Sequence, residues 1–259
     1  MRQFLSSGSS SKAEGSGNNT PLRVTRSTVI SVPDSFPRQY ARTQRFTLGS
    51  PRDFTITEAG ATGLFLRSSG PEDTVNSLWG IDTKTGNERL IVDPREMMTE
   101  TQGDLPAAER ARRERARESA GGITTYCTDR SGSLAAFTLG GELVVVDTSS
   151  GSFAVIETSG GAFDPRLSGD GQLVSFVAND GLYLASTDGT VVAQPVATEA
   201  SDTGSWGSAE FVAAEEMRRS RGHWWDPTSK KLAVTRVDVN DVSLWHCLLY
   251  TSPSPRDGL

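Results

Sequence analysis

Glu215 and Glu216 are adjacent, and within nine residues they are followed by Arg218, Arg219, Arg221, Trp224 and Trp225. Two carboxylates converging on one point suit a primary ammonium, which offers three donors and no acceptor. Convergence depends on the backbone beneath them. Neighbours on a helix lie about 100° apart and can border one cavity, whereas neighbours on a strand face opposite ways. From Glu210 to Arg221 acidic residues lead and basic residues trail, which suits a short helix and its dipole. The same order has a purely structural reading, in which the glutamates provide helix-start electrostatics and Glu215 pairs with Arg219.

Composition removes several other chemistries. The 259 residues carry a net charge of −6, the wrong sign for a general nucleic-acid binder. No apolar run approaches the ~18 residues of a membrane span. Two histidines, His223 and His246, and two cysteines, Cys127 and Cys247, make neither a multi-histidine metal centre nor a disulfide framework. No metal and no cofactor is therefore expected. Lysine occurs only at 12, 84, 230 and 231, an arginine bias that suggests a GC-rich bacterial genome.

The elements that must position the pair are β. Short apolar runs recur at 62–66, 133–137, 172–176 and 231–234, each bounded by Gly or Asp turns. The middle two are followed by a glycine turn and a second strand, at 141–147 and 181–185, and Asp147–Gly151 and Asp82–Gly86 each lead into a third. Serial hairpins of this kind are not βαβ units. Leu134 and Leu173 are 39 residues apart, close to the ~40–50 of a four-stranded propeller blade. The flanking intervals, from Leu64 to Leu134 and from Leu173 to Leu232, are longer and each holds an insertion. The fold expected is all-β: a partial β-propeller of about three to four blades of four-stranded antiparallel sheets, with short helical insertions. A partial ring leaves open blade faces and unpaired strands, so self-association is expected as well.

The first insertion, 106–120, reads as a helix opened by Pro106, with Glu109–Arg113 and Arg110–Glu114 at i,i+4 spacing. Its polar circumference reads as a solvated, salt-bridged excursion. Its arginines lack the aromatic interleaving of a nucleic-acid site, and three glutamates lie among them. The Ser/Gly/Asn-rich segment 1–33 is expected to be disordered and holds no apolar signal core, which points to the cytoplasm. The propeller domain is assigned to 34–246. Residues 247–259, CLLYTSPSPRDGL, read as translated sequencing adapter and not as native chain, with the gene continuing beyond His246.

The second insertion carries a resemblance. Phe211-Val212-Ala213-Ala214-Glu215-Glu216-Met217, Gly222-His223-Trp224-Trp225-Asp226-Pro227, Leu232-Ala233 and Arg236-Val237-Asp238 resemble bacterial members of the dipeptidyl peptidase IV branch of the prolyl oligopeptidase family. Support comes from residues 35–41, from Leu78-Trp79 and from 88–94. Ala214 stands where relatives have an acidic residue, and His223 where they have tyrosine. The resemblance implies that Glu215 and Glu216 grip the free α-amine of a peptide substrate, so that dipeptides are removed. It implies further that an arginine, one of 110–117, holds substrate carbonyls. It also implies a Ser-Asp-His triad on a C-terminal α/β-hydrolase domain, and allows a homodimer of the longer protein. No Gly-x-Ser-x-Gly occurs in these 259 residues, so no catalytic residue is assigned and the chain alone is expected to be inactive. Its expected role is substrate recognition within a serine dipeptidyl peptidase, with peptides bearing free N-termini as partners. The competing reading is a free-standing propeller that binds other proteins. A lactonase-like or glycosidase-like propeller would need a metal cage or a cross-ring carboxylate pair, and nothing points to either.

Overall fold

Alternating apolar residues in short runs build the blades. The computed structural model describes residues 35–97, 105, 107–115, 121–201 and 203–243; the assignments made for 1–33 and 247–259 lie outside the described residues. A short helix α1 (Phe36–Arg42) precedes the first blade, β1 (Arg52–Ile56), β2 (Thr62–Ser68), β3 (Val75–Asp82) and β4 (Glu88–Val92), paired in sequence order. Helix α2 (Ala107–Arg115) follows, and then β5 (Gly121–Gly122), which runs parallel to β3. The second blade is β6 (Cys127–Thr128), β7 (Leu134–Leu139), β8 (Glu142–Asp147) and β9 (Phe153–Ile156). The third is β10 (Phe163–Leu167), β11 (Leu173–Ala178), β12 (Gly181–Ser186) and β13 (Gln194–Ala197). The partial propeller expected from the repeat is what forms.

Period-two alternation sorts the side chains of a middle blade between its two neighbours. Ala135, Phe137 and Leu139 of β7, with Val144 and Val146 of β8, pack against Leu64, Leu66 and Leu78 of the first blade. Ala136, Leu143 and Val145 point the other way and meet Val174, Phe176 and Ala178 of the third. A one-residue slip would exchange these two sets, so both interfaces fix the register. Aspartates close the hairpins: Asp147 accepts from the Ser149 hydroxyl at 2.6 Å and from the backbone N–H groups of Ser150 and Ser149, and these bonds hold its carboxyl down at about 2.

The fourth blade is made differently. Strands β14 (Gly204–Trp206) and β15 (His223–Trp225) pair with β17 (Arg236–Asp238) and β16 (Leu232–Val234) respectively. Thr235 bridges the two pairs: it accepts at its carbonyl from Gly207 N–H at 3.0 Å and donates its own N–H to Gly222 at 2.8 Å. Residues 232–238 thus form one strand whose partner is a single strand cut open between 207 and 222. The excised segment contains α3 (Phe211–Glu215). The second insertion is therefore not a loop between blades but an excursion from the middle of a strand.

At the other end, Phe54 and Ile56 of β1 are exposed, Phe54 stacked on Phe65 at 5.4 Å. β16 and β17 each pair on one side only among the described residues. Uncovered apolar side chains beside open edges favour pairing between copies. Sedimentation velocity of this chain is expected to show species that grow with concentration; a 27.7 kDa monomer at every concentration would contradict this.

Candidate functional site

The excursion is held shut at a narrow neck. Ser208 and Arg221 form an isolated antiparallel bridge, and the Thr235 hydroxyl donates to the carbonyls of Ser208 and Gly222 at 2.9 and 3.0 Å. Beyond the neck, Glu210 caps α3, its carboxylate accepting from Val212 N–H at 2.6 Å and Ala213 N–H at 2.7 Å. The helix is anchored by one buried side chain, Ala213, while Phe211, Val212 and Met217 stay exposed.

Glu215 is the last residue of α3 and Glu216 its C-cap, still in helical conformation at φ −94°, ψ −35°. Both are exposed. The sequence reading that made them helix-start charges is corrected here: the start is at Phe211 and its acid is Glu210. Carboxylates at the C-terminal end oppose the helix dipole, so helix stability does not account for them. The expected Glu215–Arg219 pair is replaced by another arrangement. Arg219 donates its side-chain Nη1 to the Arg221 carbonyl at 2.7 Å and lies 5.8 Å from the centre of the Trp224 ring system. Two residues after Glu216, Arg218 adopts a left-handed φ of +54°, a strained conformation of the kind that clusters at binding sites.

Helix α2 packs beside α3, so the two insertions form one surface. The expected Glu109–Arg113 pair is present at 2.8 Å, but Glu109 is buried and also takes Arg112 at 2.6 Å. Burial raises its carboxyl and the two guanidiniums more than offset this, leaving it below the ordinary value. The first insertion is thus not wholly solvated, as its composition implied; a charged cluster docks it. Arg110 donates to the Leu105 carbonyl rather than pairing with Glu114 as expected, and its side chain is exposed. Of the candidate carbonyl holders 110–117, Arg112 and Arg113 are committed to Glu109, which leaves Arg110 as the open one among the described side chains. Arg117 and Pro106 lie outside the described residues.

Beneath the neck lies a polar cluster that sequence reasoning missed. His223, fully buried, places Nδ1 3.2 Å from the Gly207 carbonyl and 3.9 Å from Asp164 Oδ2. Because a carbonyl only accepts, Nδ1 carries the proton. Arg166 pairs with Asp164 at 2.5 Å, Trp225 donates Nε1–H to the Arg166 carbonyl at 3.0 Å, and Arg221 donates Nε–H to the His223 carbonyl at 2.7 Å. Burial lowers the His223 pKa against the pull of Asp164, and Arg166 and Arg221 lower it further. The available signal was the opposite charges of Asp164 and Arg166 two residues apart, although a bulge between Phe163 and Arg166, with Asp164 at φ +46°, breaks the alternation of the strand there.

A histidine whose folded pKa lies below its unfolded ~6.5 binds fewer protons when folded, so its contribution is present at higher pH and is lost as pH falls below about 6.5. Amide protection factors in 207–222, corrected for the pH dependence of intrinsic exchange, are accordingly expected to fall between pH 7 and 5, and His223→Asn to flatten that dependence. Equal protection at both pH values in the unsubstituted chain would refute the assignment.

Among the described residues no group of three or more His, Cys, Asp or Glu is placed to hold a metal ion. No helix of the described residues is long and apolar enough to cross a membrane.

Residues 136–257 match the family model described as the dipeptidyl peptidase IV (DPP IV) N-terminal region. Among solved structures, the chain is similar to Porphyromonas gingivalis dipeptidyl peptidase 4, with a TM-score of 0.50 and 16% identity over 72% of this chain, a likeness of fold. The chain spans 25% of that protein's length. Most of blade two and the whole of blades three and four, the last carrying Glu215, Glu216 and the Trp224-Trp225 pair, fall within the matched residues. Residues 136–257 are thus similar in sequence to the dipeptidyl peptidase IV N-terminal region, and the fold is similar to that of a dipeptidyl peptidase 4.

Proposed function

We propose that this chain is the substrate-recognition propeller of a serine dipeptidyl peptidase, in which Glu215 and Glu216 hold the protonated N-terminus of a peptide. The observation that carries this reading is the placement of both carboxylates, exposed and adjacent at the end of α3, where they oppose the helix dipole. Phe211, Val212 and Met217 on the same short segment are exposed apolar side chains of the kind a peptide covers, and α2, which carries Arg110, packs beside α3. An α-amine with a pKa near ~7.7–8.0 is largely protonated at neutral pH. A charge-assisted hydrogen bond contributes about 1.5–3 kcal/mol net, so a double clamp selects free N-termini. The clamp also measures. Fixing the amine two residues from a nucleophile on a hydrolase domain makes the product a dipeptide.

Titration calorimetry of the chain with tetra-alanine amide is the direct test. N-terminal acetylation is expected to weaken binding by at least about tenfold, since it removes the charge and two of the donors. Equal affinity for the acetylated peptide would overturn the amine assignment.

A further inference from the structure

The segment that follows the glutamates holds more positive charge than its surroundings balance. Arg221 is half-buried, and the groups that bear on it electrostatically are Arg166, Asp164 and Cys127. Asp164 pairs with Arg166 through Oδ1 and its buried Oδ2 makes no hydrogen bond, while burial pushes the Cys127 thiol up to about 11, so it contributes no charge. Two guanidiniums therefore share one carboxylate, and Arg219 adds a third positive charge on the same neck. Arg219 and Arg221 each give one side-chain N–H to a backbone carbonyl, while Arg166 Nε is buried with no hydrogen-bond partner. A guanidinium has five N–H donors in a planar fork, which leaves several directed at no acceptor on this neck. Both guanidiniums are also fixed in place, at 5.8 and 5.7 Å from the Trp224 ring centre. A held, under-neutralised guanidinium is the geometry that recognises carboxylates bidentately.

We infer that Arg219 and Arg221, fixed against Trp224, form a carboxylate-binding subsite adjoining Glu215 and Glu216, so that the site takes peptides carrying a carboxylate close to a free amine. This deepens the amine-clamp reading and rests on it. The ligand is zwitterionic, its ammonium on the glutamates and its carboxylate on the arginines. That carboxylate has two sources, an acidic side chain near the N-terminus or the C-terminal end of a very short peptide.

The test is calorimetry on the intact chain with Asp-Ala-Ala-Ala amide, its Asn counterpart, the N-acetylated Asp peptide, tetra-alanine amide and tetra-alanine free acid. The Asp peptide is expected to bind about tenfold more tightly than the Asn peptide, and R219Q to reduce that gap to about twofold. R221Q provides a second variant nearer the neck, so a folding defect in one does not decide the matter. A gain for the free acid over the amide that R219Q removes also upholds the subsite and names the chain end as the source. Equal affinities in both comparisons overturn the subsite, and if acetylation still weakens binding, the amine clamp survives that failure. Preference for Asp with indifference to acetylation overturns the clamp and leaves an anion site. Failure of all five peptides to bind at millimolar concentration overturns both.

Discussion

Replacing Glu215 and Glu216 together by glutamine is expected to weaken binding of a free-amine peptide by more than about a hundredfold, and either single replacement by about tenfold. Glutamine keeps the side-chain shape and one carbonyl acceptor but removes the charge. It also turns an N–H₂ donor toward an ammonium that has only donors. Both glutamates are exposed in the uncomplexed chain, so the change is expected to leave folding stability within about 0.5 kcal/mol. That separates recognition from structure: affinity falls while the melting temperature holds. When this region is joined to a hydrolase domain, the same double variant is expected to lose kcat/KM on dipeptidyl substrates to a similar degree, because the clamp proposed above would set which bond reaches the nucleophile. Unchanged affinity and kinetics in the double variant would remove the glutamates from the site.

Much of this site was legible because its signals are local. The blades follow from alternation and turns: 142–147 reads as strand from Leu143, Val144, Val145 and Val146 alone, and the 39-residue repeat needs no tertiary knowledge. The Glu-Glu pair and its helical backbone were legible for the same reason. What the sequence concealed depends on partners distant in the chain. Acidic residues precede basic ones in 210–221, and the dipole argument alone gave Glu215 and Glu216 to the helix start. Only the cap formed by Glu210 shows where the helix begins. The composition of α2 spoke for solvent on nearly every side. It could not show that Glu109 is buried with Arg112 and Arg113, because the surface that buries it is built by other segments. The cut strand of the fourth blade was hidden likewise. Two three-residue halves, 204–206 and 223–225, are too short to register as one strand until 232–238 runs continuously beside both.

That cut strand makes Gly222 the position where one added carbon does most damage. A Cβ there would lie 2.4 Å from the carbonyl carbon and oxygen of Gly207 and 2.5 Å from the Ser208 carbonyl oxygen. All three are backbone atoms, so no side-chain rotation relieves the clash. Ser208 is bridged to Arg221 and its carbonyl accepts from Thr235, which also binds Gly207 and Gly222; moving any one of them breaks the junction between the two half-strands. Overpacking in a well-packed region costs about 1–3 kcal/mol, and here hydrogen bonds are lost besides, so Gly222→Ala is expected to reach or exceed the top of that range. The damage should be directed. Limited proteolysis is expected to cut first within 207–222, while the second and third blades, joined by the Val174–Phe176–Ala178 core, keep their protection. The amine clamp should fail with the neck, since the neck joins α3 to the blade and Ala213 is the buried side chain of that helix among the described residues. Wild-type protection and peptide affinity in Gly222→Ala would mean that the excursion is positioned by something other than its neck.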